Sequence, residues 1–139
     1  MKVVTNKLHM STKGHTDVID LTGKLSDLLS KAGMKDGSMT VFVAGSTASI
    51  TTVEYEPGLI KDLPEAFERL APSGRTYHHD ATWGDNNGYS HVRASMVGPT
   101  LIVPFSKGSL LLGTWQQVVL IDFDNRPRER DVIVQLMGE

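Results

Sequence analysis

Cysteine is missing altogether from this chain of 139 residues. That excludes disulfides, thiol nucleophiles, iron–sulfur clusters and Cys-ligated zinc, so a transition-metal site would have to draw on His, Asp and Glu. Aromatic residues are scarce at 6%, which leaves Val, Ile and Leu to fill the core that the 40% apolar share can build. Net charge is small, formally -2 with a pI near 6.2. The basic balance of a general nucleic-acid binder is therefore lacking. No run approaches the ~20 apolar residues of a membrane helix, and the opening stretch MKVVTNKLHMSTKG has no apolar signal core. Length and composition together suggest one domain over residues 1–139, expected in the cytoplasm with neither membrane nor nucleic acid as partner.

What is present divides into scaffold and one polar connection. Residues 3–10 alternate around β-branched positions and predict a strand. Val18, Leu21, Leu25, Leu28, Leu29 and Ala32 recur at helical spacing, predicting a helix over 16–33 capped by Thr16 and stopped by Gly33. SMTVFVAG and ASITTVEYE are β-rich runs around Gly45, and PGLIKDLPEAFERLAP is a second helical segment that Pro64 should kink. SHVRASMVG reads as a short helix closed by Gly98. The last third is strand-like: TLIVPF, an SKGS turn, the long LLLGTWQQVVLIDFD and finally RDVIVQLMG. Strands without intervening helices imply antiparallel pairing. The expected architecture is α+β, a mostly antiparallel sheet or sandwich with two or three helices.

The connection YHHDATWGDNNGYSHVR, residues 77–93, holds three of the five histidines with almost nothing to build a core. From Ala71 to Ser90 there is no clear periodicity, and loops of that length in compact domains are usually functional or disordered. Tyr77, Trp83 and Tyr89 argue against disorder. Either His79 and His91, with Asp80 or Asp85, ligate a divalent ion, or they are exposed loop histidines. His78 and His79 point to opposite sides in extended backbone, so at most one faces a shared site. Arg93, at a possible helix start, either grips an anion or pairs with Asp80 or Asp85 at the surface. Asn86 and Asn87 either make a turn with Gly88 or contact a substrate.

The run from Tyr77 to Asp124 resembles the secondary thiamine-phosphate synthase family, also called the YjbQ-like family. The hallmark is Gly-Thr-Trp-Gln five residues beyond a turn glycine, reproduced by Gly108 and then Gly113-Thr114-Trp115-Gln116. Asn87, His91, Gly98 and DFDNRPRER also resemble the family, and the similarity spans essentially the whole chain. It implies a small α+β fold, a homotrimer with its site near the subunit boundary, and thiamine phosphate synthase activity of a weak or secondary kind. It also implies a divalent metal, zinc or magnesium, at His79 and His91. Carried over by position, the site holds Glu54, His79, His91, Asn87 and Arg93. The chain departs from the family where Gly45-Ser46-Thr47 replaces a common His-Thr-Thr, removing a third histidine ligand. Tyr89 likewise stands where some relatives carry histidine. Ser46 and Thr47 offer hydroxyls that suit an anion, or form an ordinary strand-end turn.

The implied reaction couples a pyrimidine diphosphate to a thiazole phosphate, and negative charge builds on the departing diphosphate. Arg93, Lys107 and a metal on His79 and His91 would offset it, with Glu54 ordering a ligand or taking a proton. Trp115 and Gln116, expected mid-strand, leave opposite faces. Trp115 then serves a core, an intersubunit contact or substrate stacking, and Gln116 a site or a trimer contact. The arginines of NRPRER form either a solvated or subunit-bridging turn or a phosphate contact. Two other functions use the same residues: metal-assisted hydrolysis, and a non-catalytic trimer that binds a small phosphorylated molecule.

Overall fold

The computed structural model describes residues 1–139. In chain order the elements are β1 (Lys2–Thr12), β2 (Asp17–Asp20), α1 (Thr22–Ala32), β3 (Gly37–Ala44), β4 (Ala48–Val53), α2 (Pro57–Leu70), α3 (His78–Trp83), α4 (Gly88–Val97), β5 (Thr100–Ser106), β6 (Ser109–Leu110), β7 (Gln117–Asp122) and β8 (Arg128–Gly138). The strands form a five-stranded sheet, β1-β8-β3-β5-β6, and a three-stranded sheet, β2-β7-β4. Every pairing is antiparallel. The α+β architecture expected from the sequence is what the chain adopts, with four helices rather than two or three. None of them is long and apolar enough to cross a membrane.

Strand β7 explains the layering. Its residues from Val118 to Asp122 are all buried, so neither face meets solvent. Side chains alternate along a strand, and the two sets enter two cores. Val118 and Leu120 pack with Met39, Val41 and Val43 of β3, Val132, Val134 and Leu136 of β8, and Leu25 and Leu29 of α1. Val119, Ile121 and the following Phe123 face the other way, onto Phe67 of α2 and Ala94 of α4. Phe67 and Phe123 meet edge to face at 4.8 Å. Trimming Leu120 to alanine would open a cavity in the larger core at a cost of about 2–5 kcal/mol.

Two local expectations fail for identifiable reasons. The helix expected over 16–33 begins only at Thr22, because Asp17–Asp20 pairs with β7 as the edge strand β2. Val18 and Ile19 favour that pairing, and the apparent helical spacing of Val18 with Leu21 is coincidental. Thr16 caps nothing: its φ is 63°, and Asp20 accepts the Thr22 N–H instead. Gly33 does stop α1, in the left-handed conformation. The long strand expected over LLLGTWQQVVLIDFD is broken by a turn at Gly113–Gln116, where Gln116 N–H donates to the Gly113 carbonyl and its Oε1 accepts the Gly113 N–H. Trp115 thus sits in that turn with 72% of its surface exposed, and not in the core. Pro64 lies inside α2 without ending it, while Pro57 starts the helix where its missing N–H costs nothing.

Candidate functional site

The apolar alternation of three strands continues past the core and delivers charge at one end of the sandwich. On β7 the positions of Val118 and Leu120 lead to Asp122, and on β8 those of Leu136, Val134 and Val132 lead to Arg130. On β3 the positions of Met39, Val41 and Val43 lead to Gly45. Arg130 Nε and Nη2 bind the two Asp122 oxygens at 2.7 and 3.0 Å, and Nη2 also donates to Thr47 Oγ1 at 2.6 Å. Thr12 Oγ1 at 2.6 Å and the Asp124 N–H at 2.9 Å complete the Asp122 shell. Gly45 makes the room: a Cβ there would stand 2.7 Å from Arg130 Nη1, at a φ of +146° that side chains rarely adopt.

Asp124, two residues beyond Asp122, extends this network towards the histidines. It accepts Thr47 Oγ1 at 2.9 Å, Arg128 Nε at 2.7 Å and Asn87 Nδ2 at 3.2 Å. Burial opposes its charge, but hydrogen bonds from Asn87, the Asn125 N–H, Thr47 and Arg128 hold its carboxyl below the ordinary aspartate range. Arg128 spends only its Nε and backbone N–H on the chain, leaving both terminal guanidinium nitrogens without a partner.

The stretch expected to be a loop folds into α3 and the start of α4. Asp80 joins them: its Oδ2 accepts the Tyr77 N–H at 3.0 Å and its Oδ1 the Gly88 N–H at 2.9 Å. The Tyr77 N–H, working against partial burial and aided by Gly88, holds Asp80 below its usual range. The result brings His79 and His91 together, with ring centroids 4.1 Å apart and planes inclined by 42°. His78 is exposed on α3 and lines nothing.

Asn87 is the hinge of the site. An asparagine at a helix N-cap normally accepts a backbone N–H, yet Asn87 makes no such bond. Its Nδ2 faces the acceptor-only Asp124, so Oδ1 faces His79 Nε2 at 3.1 Å. This assigns the His79 proton to Nε2, which also lies 3.4 Å from Asp85 Oδ1. His79 Nδ1 is left as the free base. Burial, and then the adjacent His79 ring, push His91 below the ordinary histidine range.

These groups line a cleft of about 400 Å³. Gly45, Ser46, Thr47, His79, Trp83, Asp85, Asn87, His91, Asp124, Arg128 and Arg130 form its walls. Two aspartates face two arginines, so with neutral imidazoles the lining carries no net charge. Of the residues singled out in the sequence, His79, His91, Asp85, Ser46, Thr47 and Asn87 come together here. Asn86 does not line the cleft; it turns the chain with a φ of 57°.

Arg93 is placed elsewhere. It lies inside α4 rather than at its start, is 4% exposed, and donates to the Ala71 carbonyl and Glu68. Its guanidinium stacks over Tyr89 at 4.8 Å, so it ties α4 to the end of α2. Glu54 is exposed at the far end of β4, roughly 20 Å of strand away by the rise per residue. Lys107 is also distant, its N–H bound to Asp36 beside the start of β3. Gln116 holds Thr52 Oγ1 at 3.2 Å near that far end. Sequence reasoning missed Asp122 and Asp124 as site residues, and it held Arg128 and Arg130, the last two arginines of NRPRER, as either a solvated or subunit-bridging turn or a phosphate contact. For the two aspartates the available signal was alternation: Asp122 and Asp124 interleave with Ile121 and Phe123, so the carboxylates must point together to one side.

No group of three His, Asp or Glu side chains converges in a metal-holding arrangement. With His79 Nε2 committed to Asn87 and Asp85, the donors do not fit a closed metal centre.

Fold and cleft define an α+β protein of two antiparallel sheets with a polar His, Asp and Arg site at one end of the sandwich. The chain belongs to the family described as UPF0047 protein YjbQ-like, whose pattern residues 6–139 match. It is 35% identical over 139 residues to a UPF0047 protein of Methanothermobacter thermautotrophicus, covering 100% of this chain and 95% of that one. A UPF0047 protein of Archaeoglobus fulgidus is 34% identical over 131 residues, covering 94% and 99%. Among solved structures, a YbjQ-like protein of unknown function from Sulfolobus solfataricus superposes with a TM-score of 0.94 at 31% identity, covering 99% of each chain. The hypothetical protein APE1520 from Aeropyrum pernix gives 0.91 at 32% identity, covering 98% of this chain and 99% of that one.

Proposed function

We propose that the cleft binds a small phosphorylated substrate and that the chain is a transferase of the thiamine phosphate synthase type. In that reaction a thiazole nitrogen attacks the methylene carbon of a hydroxymethylpyrimidine diphosphate. The C–O bond breaks, its electron pair leaves with diphosphate, and a C–N bond forms. The barrier is set by charge building on the leaving oxygen, which fixed donors in a shielded site lower electrostatically. The free terminal nitrogens of Arg128 are suited to that task, and Ser46 lines the same cleft. His91, held neutral, and His79, with Nδ1 open, can accept or return a proton as the diphosphate departs.

The observation that carries this reading is the tilted imidazole pair at 4.1 Å in the same cleft as an arginine with two unspent nitrogens. The test is to incubate the purified protein with both substrates and magnesium, and to follow thiamine phosphate by mass spectrometry beside a competent synthase. Product that disappears in Arg128→Ala and falls in His79→Ala and His91→Ala is the expected result. No product, while the control enzyme turns over, removes the assignment.

The family resemblance also supports a homotrimer. The surface suited to it is the groove of about 310 Å³ beside exposed Ile102 and Leu111, with Trp115 on the adjoining turn. Sedimentation should return three times the chain's 15.2 kDa; a monomeric mass rules this assembly out. A zinc ion would bind only openly, through His91 and His79 Nδ1, whereas magnesium, which takes oxygen ligands, would come with the diphosphate; elemental analysis after dialysis decides whether a metal is retained.

A further inference from the structure

Trp83 is the single apolar side chain among the eleven residues that line the polar cleft. It lies on α3 four residues after His79, a spacing that puts two side chains on one helical face. Its indole is 73% exposed. That is unusual, because a tryptophan normally hides most of its surface. Next to it stand the His79 and His91 rings, so one wall of the cleft presents three flat unsaturated side chains in succession. Arg128, with free donors, lines the same cleft, and Asp85 stands beside the rings, its Oδ1 3.4 Å from His79 Nε2. A ligand that matches both the rings and the arginine has a planar ring at one end and a phosphate at the other.

We propose that Trp83 is the platform on which such a ring stacks, so that the site selects phosphate esters of aromatic alcohols over alkyl phosphates. This rests on the reading of the cleft as a phosphate site and specifies what the phosphate must be attached to. Stacking is sequence-tolerant and geometry-tolerant, because any planar ring offers a π-face to an indole. A hydrogen-bond donor on the ring edge would find Asp85. The expected preference is about fivefold to tenfold in affinity, the usual size of one good aromatic stack.

The chain has two tryptophans. Trp115 lies outside the cleft, so a Trp115→Phe protein reports on Trp83 alone by fluorescence. Inorganic phosphate, butyl phosphate and benzyl phosphate are titrated into that protein, with calorimetry alongside. Benzyl phosphate should bind about fivefold to tenfold more tightly than butyl phosphate and change the Trp83 emission. Trp83→Ala should bring benzyl phosphate to the butyl phosphate level, and Trp83→Phe should keep part of the difference. Equal binding of the two esters, or a preference that survives Trp83→Ala, overturns the platform and leaves the phosphate reading intact. If none of the three probes binds, the phosphate site falls, and the platform falls with it.

Discussion

Replacing Arg130 by methionine removes the cation that holds Asp122, a carboxylate with 0% exposure. In the intact protein Asp122 receives four hydrogen bonds: two from Arg130, one from Thr12 Oγ1 and one from the Asp124 N–H. The substitution leaves two of them and no compensating charge. A buried ion pair broken from one side costs about 3–5 kcal/mol, mostly the penalty for the stranded partner. Against a total stability of about 5–15 kcal/mol this is a large fraction, and it lowers the melting temperature by roughly 10–20 °C for a chain of this size. Urea denaturation followed by circular dichroism, at fixed protein concentration, measures it. The decisive arm is the double variant Arg130→Met with Asp122→Leu, which removes both charges. Because swapping a whole buried pair for apolar groups is often neutral, the double variant should regain most of the loss. If Arg130→Met costs less than about 1 kcal/mol, or if the double variant loses the sum of the two single losses, the account of this ion pair is wrong.

Gly45→Ala forces a Cβ against Arg130 Nη1 in a backbone conformation unfavourable to alanine; it should cost about 1–3 kcal/mol, read as a shifted urea midpoint. Asp80→Ala frees the starts of α3 and α4 from each other, so the His91 titration, followed by proton NMR, should move back towards the ordinary histidine value. His91 sits below that value in the folded protein, so the unfolded chain binds more protons as pH falls. Its stability contribution is therefore intact above about 6.5 and declines as pH drops through the folded pKa. The urea midpoint should fall more between pH 7.5 and pH 5.5 in the parent protein than in His91→Gln. Over the same interval phosphate-ester affinity should rise in the parent, as the imidazole gains charge in an otherwise neutral cleft, and stay flatter in the variant. Dialysis against a chelator should leave the folding midpoint unchanged, since the ion pairs of Asp122 and Asp124 hold this end of the fold without a metal.

Much of the scaffold was legible because period is a strong signal. The alternation in SMTVFVAG and RDVIVQLMG marks β3 and β8, and Gly33 marks the end of α1. The failures arose where a local pattern had two readings. DVID fits a helical face as well as a short edge strand, and tertiary pairing with β7 decided it. LLLGTWQQVV looks continuous by composition, but Gly113 and the Gln116 side chain close a turn that propensity alone does not reveal. At the site, His79, His91 and Asn87 stood out because polar residues without period invite a functional explanation. Arg93 looked equally functional in sequence; only the three-dimensional partners Ala71 and Glu68 show that it is spent on packing. Arg128 and Arg130 carried two readings, since a run of arginines near a proline fits a solvated turn as well as a phosphate contact until the register of β8 points one of them inward.

The pairing of β1 has a bearing on how the protein is made. Its only neighbour is β8, in register from Lys2 with Gly138 to Thr12 with Arg128. Eleven residues that leave the ribosome early must therefore wait, with their backbone donors and acceptors unmatched, until more than a hundred others have followed. Such widely separated contacts form slowly and leave strand edges open meanwhile. During synthesis the alternating Val4, Leu8 and Met10 are thus a hazard for cross-pairing between nascent copies.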